Sequence, residues 1–139
     1  MDIRALVDED IEAVVRLWGT VGLTRPWNDP LRDIERARGA YPDLVLVAID
    51  SGAVVGSVIA GYDGHRGWLY YLASAPTHRG RGIGRALVAE AERRLVRLGC
   101  PKVQLMVRSG NEGVLDFYDA LGYERSDVIV SGKRLIPDA

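Results

Sequence analysis

Arginines at positions 79, 81 and 85 are interleaved with glycines at 80, 82 and 84 in the run Arg79-Gly80-Arg81-Gly82-Ile83-Gly84-Arg85. Glycine has no Cβ, so a backbone built from it can approach a ligand closely and turn its N–H groups inward. An amphipathic helix begins within this run. The first turn of any helix carries unpaired N–H groups and the positive end of the dipole. Guanidinium groups add full positive charge beside them. The chemistry that these parts suit is the binding of a polyphosphate anion. The two histidines, His65 and His78, and the one cysteine, Cys100, lack metal-ligand partners at useful spacing, so no metal is expected.

Two other phosphate loops fail on the same residues. A dinucleotide fingerprint needs G-x-G-x-x-G, but the sixth position is Arg85 counted from Gly80 and Leu87 counted from Gly82. A nucleoside-triphosphate loop needs G-x-x-x-x-G-K-[ST], and the chain has no such run. What stands here is a strand ending in Leu72, Ala73 and Ser74, a turn at Pro76, the spacing Arg79-x-x-Gly82-x-Gly84, and then the helix.

The elements that position this loop follow from periodicity and turn chemistry. Residues 3–6 read as a short strand. Asp8 reads as an N-cap, followed by Ile11, Val14, Val15 and Trp18 at helical spacing. Residues 31–39 read as a second helix entered through Pro30. Strands are expected over 44–49, 53–62 and 67–73, with turns at Asp50-Ser51-Gly52 and Asp63-Gly64 between them. Ile83, Ala86, Leu87, Ala91, Leu95 and Leu98 mark one face of the helix after the loop, which Gly99 and Pro101 end. A strand over 102–107, a helix over 111–121 and one or two strands over 123–135 complete the chain. The sum is an α/β chain, a mixed and mostly antiparallel sheet flanked by helices.

Composition narrows the class further. The chain of 139 residues is expected to form a single domain, residues 1–139. Its net charge of −1 gives no basic footprint for nucleic acid. A lone cysteine allows no intrachain disulfide, no apolar signal region is visible, and no apolar run reaches membrane-spanning length. A cytoplasmic location with no membrane partner is the expectation.

The loop spacing and the order of elements resemble the GNAT acetyltransferase superfamily, whose acyl-coenzyme-A loop has the pattern [QR]-x-x-G-x-[GA]. A second stretch strengthens the likeness. Asn111, Val114, Phe117, Tyr118, Gly122 and Tyr123 are similar to the family's N-x-x-[AV]-x-x-[FL]-Y-x-x-x-G-[FY] motif. The stretches Arg25-Pro26-Trp27-Asn28-Asp29-Pro30, Tyr62-Asp63-Gly64-His65-Arg66-Gly67 and Gly99-Cys100-Pro101-Lys102 look like a bacterial subgroup of the family, the YpeA type.

The resemblance implies a fold, a cosubstrate and a set of roles. Acetyl-CoA is the implied cosubstrate. Leu72, Ala73 and Ser74 would pair with its pantetheine arm, and Arg79, Gly80, Arg81, Gly82, Ile83, Gly84 and Arg85 would hold its pyrophosphate. Asn111 would cap a helix and hydrogen-bond near the cosubstrate, or serve as an N-cap only. Tyr118 would act as general acid toward the departing thiolate, although its neighbours Val114, Phe117 and Leu121 equally suit a tyrosine packed in a core. Trp27, Asn28, Asp29 and Tyr70 would line the acceptor side. The glutamate that many members carry on the central strand is absent, and Tyr70 stands in its place. Either a water chain to Asp63, His65 or Asp29 takes the acceptor's proton, or the acceptor arrives neutral.

The expected reaction is transfer of acetyl to a small-molecule or peptide amine. A non-catalytic acyl-CoA-binding sensor is the alternative, favoured only by the missing glutamate. His78 reads as a surface turn residue and Cys100 as a buried, inert thiol. Val128, Ile129 and Val130 could form an edge strand that pairs two copies into a homodimer.

Overall fold

Val45, Leu46, Val47 and Ala48 are buried on both sides of the strand they form, so helices must cover both faces of the sheet. The computed structural model describes residues 1–138 and shows this arrangement. Strands β1 (Asp2–Ala5), β2 (Val45–Asp50), β3 (Ala53–Tyr62), β4 (Gly67–Ser74) and β5 (Val103–Gln104) lie in that order across one sheet. The first four run antiparallel to their neighbours, and β5 joins β4 in parallel. Helices α1 (Ile11–Thr20) and α2 (Pro30–Ala40) precede β2, α3 (Ile83–Arg97) connects β4 to β5, and α4 (Glu112–Ala120) follows. A parallel pair needs a crossover, and α3 supplies it.

Two units are distinguished, Met1–Gln104 with Asp138, and Leu105–Pro137. In the first unit Val14, Leu17, Trp18 and Ile34 pack on one face of the sheet, against Val45, Val47, Ile59 and Ala73. On α3, Ile83, Leu87, Ala91 and Leu95 are buried, as the spacing predicts, and Val88 joins them, whereas Ala86 is only part buried and Leu98 is exposed. Gly56 of β3 lets α3 come close. A Cβ there would lie 2.6 Å from Ile83 Cγ2 and 2.9 Å from Leu87 Cδ1.

The register between β3 and β4 carries an irregularity. Ser57 faces Ala73 and Ile59 faces Tyr70, so Val58 alone opposes the two residues Tyr71 and Leu72. This is a β-bulge on β4, and Tyr71 adopts φ +54° within it. Tyr70 shares the face of its partner Ile59, and Tyr71 stacks on Trp18 of α1 from that same face. The bulge therefore sets two consecutive tyrosines on one side of the sheet, which a regular strand cannot do.

In the second unit Asn111 accepts the Val114 N–H at 3.4 Å as the N-cap of α4, as the motif predicts. Arg125 reaches Glu112, Asp116 and Asp119 along that helix.

Three expectations are corrected. Asp8 does not cap α1. It pairs with Arg38 at 2.7 Å, while Asp10 accepts the Val7 N–H at 2.9 Å and two bonds from Arg4. The Arg4 fork on β1 draws the third carboxylate of the run inward, so a short 3-10 turn over Asp8–Asp10 precedes the helix. The strand expected over 102–107 is only Val103–Gln104. No strand forms over 123–135 among the described residues, and Val128, Ile129 and Val130 are exposed. An alternating apolar pattern marks a segment that could pair, but the ladder forms only where a neighbour offers its backbone.

Candidate active site

The loop after β4 is anchored at its base and open above it. The Ala75 N–H donates to the Val55 carbonyl at 2.8 Å, and the His78 N–H to the Ala75 carbonyl at 2.9 Å. Gly80 and Gly82 then take φ +80° and +76°, a region that other residues enter only with strain. Gly82 is the N-cap of α3 and offers no side chain to its first turn. The first-turn N–H groups of α3, at Ile83, Gly84 and Arg85, have no carbonyl of their own helix to bind. Arg79, Arg81 and Arg85 are exposed around them. These donors and cations fit an anionic pyrophosphate, as the glycine spacing implies.

His78 is no simple surface residue. Its Nε2 lies 2.9 Å from Asp50 Oδ2 and its Nδ1 2.8 Å from Thr77 Oγ1, and its side chain is mostly covered. Asp50 also stands 3.9 Å from Arg81 Nη1. The β2–β3 turn is thus fastened to the anion loop through one carboxylate. Sequence reading took Asp50 as turn chemistry only, because its partners come from a distant strand.

Leu72, Ala73 and Ser74 lead into the loop with their β3 side paired through Ala73 and Ser74. Pairing with β5 ends at Trp68. Beyond that point the β5 side of β4 has no strand partner among the described residues.

The residues expected on the acceptor side are less uniform. Trp27 is half exposed rather than plugged into the core. Asp29 caps α2 by accepting the Leu31 N–H at 2.9 Å, and its own N–H donates to Asp138 at 3.0 Å. Its carboxylate is committed to the helix start. The Asn28 N–H donates to the Arg25 carbonyl at 3.1 Å, closing the turn before it. Tyr70 is 44% exposed, and burial of the rest of the ring, with the Asp63 charge, raises its pKa. Asp63 accepts from the Arg66 and His65 N–H groups at 2.7 and 2.8 Å, and these bonds hold its carboxyl below the usual range. His65 lends its N–H to that hairpin. Cys100 is only part buried, and its Sγ lies 3.4 Å from the Lys102 carbonyl.

Sequence reading passed over a buried network beside Tyr70. Trp18 Nε1–H donates to Ser57 Oγ at 2.8 Å, and Ser57 Oγ–H donates to the Tyr71 carbonyl at 2.9 Å. The Tyr71 hydroxyl donates to Asp33 Oδ2 at 2.6 Å, and its ring stacks on Trp18 with centroids 3.8 Å apart. Burial and the Asp33 acceptor push the Tyr71 pKa up. Three attachments hold a residue whose left-handed backbone costs on the order of 1–3 kcal/mol, and such strain clusters at functional sites. The doublet Tyr70-Tyr71 was the visible signal, but the bulge that gives it meaning was not.

Tyr118, in the second unit, is buried with its ring edge-on to Phe117 and Tyr123. Burial pushes its phenol up to about 12, so it carries its proton at neutral pH.

Comparison with known proteins agrees with this geometry. The family model described as "Acetyltransferase (GNAT) family" matches residues 10–123. An acetyltransferase of Pectobacterium atrosepticum is 53% identical over 99% of this chain and 98% of its own length. One of Yersinia enterocolitica is 51% identical with the same coverage. Among solved structures, Ard1 of Thermoplasma volcanium matches with a TM-score of 0.81 and 25% identity, over 90% of this chain and 83% of that one. AAC(6')-Iy, solved with the bisubstrate analogue CoA-S-monomethyl-acetylneamine, matches in fold with a TM-score of 0.78 and 24% identity, over 96% and 97% of the two chains. The sheet, the loop and these matches define an acyl-coenzyme-A transferase. The chain belongs to the GNAT acetyltransferase family. It is an acetyl-CoA-dependent N-acetyltransferase, and acetyl-CoA is its cosubstrate.

Proposed function

We propose that this enzyme moves an acetyl group directly from acetyl-CoA to an amine of a small molecule or a peptide. The observation that carries the site assignment is the uncapped start of α3 at Gly82, with the first-turn N–H groups behind it and the exposed Arg79, Arg81 and Arg85 around it. Residues 79–85 hold the pyrophosphate, and Leu72, Ala73 and Ser74 offer backbone to the pantetheine arm. A main-chain N–H near Ala73 and Ser74 polarises the thioester carbonyl. Tyr118 acts as general acid toward the departing thiolate, and burial keeps its phenol protonated until that step. Asn111 starts the helix that carries it. Trp27, Asn28 and Tyr70 shape the acceptor side, and an exposed Trp beside polar groups suits a cationic amine.

No helix among the described residues is long and apolar enough to cross a membrane. The reading keeps a cytoplasmic location and one enzyme domain over the chain as its expectations, and the exposed Val128, Ile129 and Val130 support pairing of two copies. Calorimetric titration with acetyl-CoA tests the site. Micromolar one-to-one binding that Gly82→Asp abolishes is the expected result, whereas normal affinity in a folded Gly82→Asp variant would remove the loop assignment.

A further inference from the structure

Acetyl transfer requires the acceptor nitrogen to shed a proton, and β4 carries no carboxylate along its whole length from Gly67 to Ser74. We infer that Tyr71 and Asp33 supply the path: the acceptor's proton passes to Tyr71 Oη as Tyr71 passes its own to Asp33 Oδ2. This rests on the acetyl-transfer reading above.

Three observations carry it. First, the bulge sets Tyr71 beside the half-exposed Tyr70 on one face of β4, the strand that leads to the anion loop. The Tyr71 backbone is held at φ +54° by the Trp18 stack, the Ser57 bond and the Asp33 bond, so the phenol is fixed in place before any ligand arrives. Second, the hydroxyl is joined to a carboxylate at 2.6 Å, a length suited to proton transfer. That carboxylate is 24% exposed, so water can carry its proton away. Third, the rival carboxylates are committed. Asp63 accepts the His65 and Arg66 N–H groups and the Trp68 indole, and Asp29 accepts two N–H groups at the start of α2. The charged groups around Asp33 are Arg36 at 3.9 Å, and Asp138, which binds Arg36 at 2.9 Å. Asp29 stands one turn earlier on α2, paired with Arg32 at 3.7 Å.

The protons balance along this path. A protonated amine loses one proton through Tyr71 to Asp33, which frees the nitrogen lone pair. The lone pair forms the C–N bond at the thioester carbonyl carbon, and the C–S bond breaks. The second nitrogen proton replaces the one that the general acid gives to sulfur. Asp33 then returns its proton to water. Tyr71 is the catalytic residue here, and Asp33 acts through it as a positioning residue.

The experiment follows thiol release from acetyl-CoA with a panel of primary amines (spermidine, free lysine and a short peptide with an open N-terminus), from about pH 6 to about pH 10. Asp33→Asn and Tyr71→Phe are each expected to lower kcat about 10- to 100-fold near pH 7. The KM for acetyl-CoA should stay within about twofold, and Asp33→Glu should recover part of the rate. The deficit should shrink as pH approaches the acceptor amine's own pKa, about 10 for an alkyl amine and about 8 for a peptide N-terminus, where the acceptor arrives neutral. Thermal unfolding shows which variants fold, and Asp33→Asn keeps an acceptor for the Tyr71 hydroxyl if Tyr71→Phe does not. A deficit equal at every pH, or none, overturns the path. So does acetyl-CoA binding without turnover of any amine in the panel. Failure of the unaltered protein to bind acetyl-CoA would instead overturn the reading on which the path rests.

Discussion

Arg81 and Asp50 show how single residues tune the anion loop. Arg81 stands 3.9 Å from Asp50, loosely enough to leave it for a phosphate. Losing one charge-assisted hydrogen bond costs about 1–2 kcal/mol, so Arg81→Ala should weaken acetyl-CoA binding about 5- to 30-fold by calorimetry. Asp50 has the additional task of fastening His78. An amide oxygen can still accept from His78 Nε2–H, whereas a methyl cannot. Asp50→Ala should therefore raise the KM for acetyl-CoA by a few-fold, about 3- to 10-fold, with Asp50→Asn close to the unaltered enzyme. Equal effects of the two substitutions would mean that the charge, not the tether, matters.

Elements are held by comparably few groups. Asp10 joins β1 to the start of α1 by taking bonds from Arg4 and the Val7 N–H, and those bonds lower its pKa, the Arg4 bond most. A carboxyl depressed in the fold contributes stability that is present above its unfolded pKa and is lost as pH falls through the folded one. Asp10→Ala should cost about 1–2 kcal/mol in urea unfolding at pH 7, and the gap from the unaltered protein should close below about pH 4. On the other face, Gly56 is the point where α3 meets β3. Gly56→Ala places a methyl against Ile83 and Leu87 and should cost about 1–3 kcal/mol by overpacking. Because Ile83 opens α3, the same substitution should weaken acetyl-CoA binding as well. An unchanged affinity would mean that the helix start absorbs the shift.

For the molecule as a whole, ligand binding and stability are linked. Acetyl-CoA binds the folded chain, so at about 100 times its Kd it should stabilise the fold by about 2.7 kcal/mol, read as a rise in the thermal midpoint. A folded Gly82→Asp variant should show no rise. The net charge of −1 means that attraction for the polyphosphate comes from the local arginines rather than the global field. Added salt should therefore weaken binding, and less so in Arg81→Ala.

Much of this was legible in the chain itself, wherever the cause is local. Gly80 and Gly82 announce positive φ because only glycine enters it freely, Ser51-Gly52 and Asp63-Gly64 announce hairpins, and Asn111 announces the start of α4. Apolar spacing marked α3 and most of its buried face. What depends on distant partners was not legible. His78 found Asp50 on β2, and even Asp10, only six residues from Arg4, displaced Asp8 because the turn after β1 folds it back onto that guanidinium. The segment 123–135 has a strand's alternation but no ladder, since pairing depends on a neighbour that no local pattern records. The bulge at Tyr71 is of this kind too. It comes from the register of β4 against β3 and from Trp18, Ser57 and Asp33, three residues on three other elements. Sequence alone determined the family and the cosubstrate and marked out the glycine–arginine loop, because these rest on contiguous residues. Tertiary structure alone decided which tyrosine meets a carboxylate, because that contact joins residues far apart in the chain.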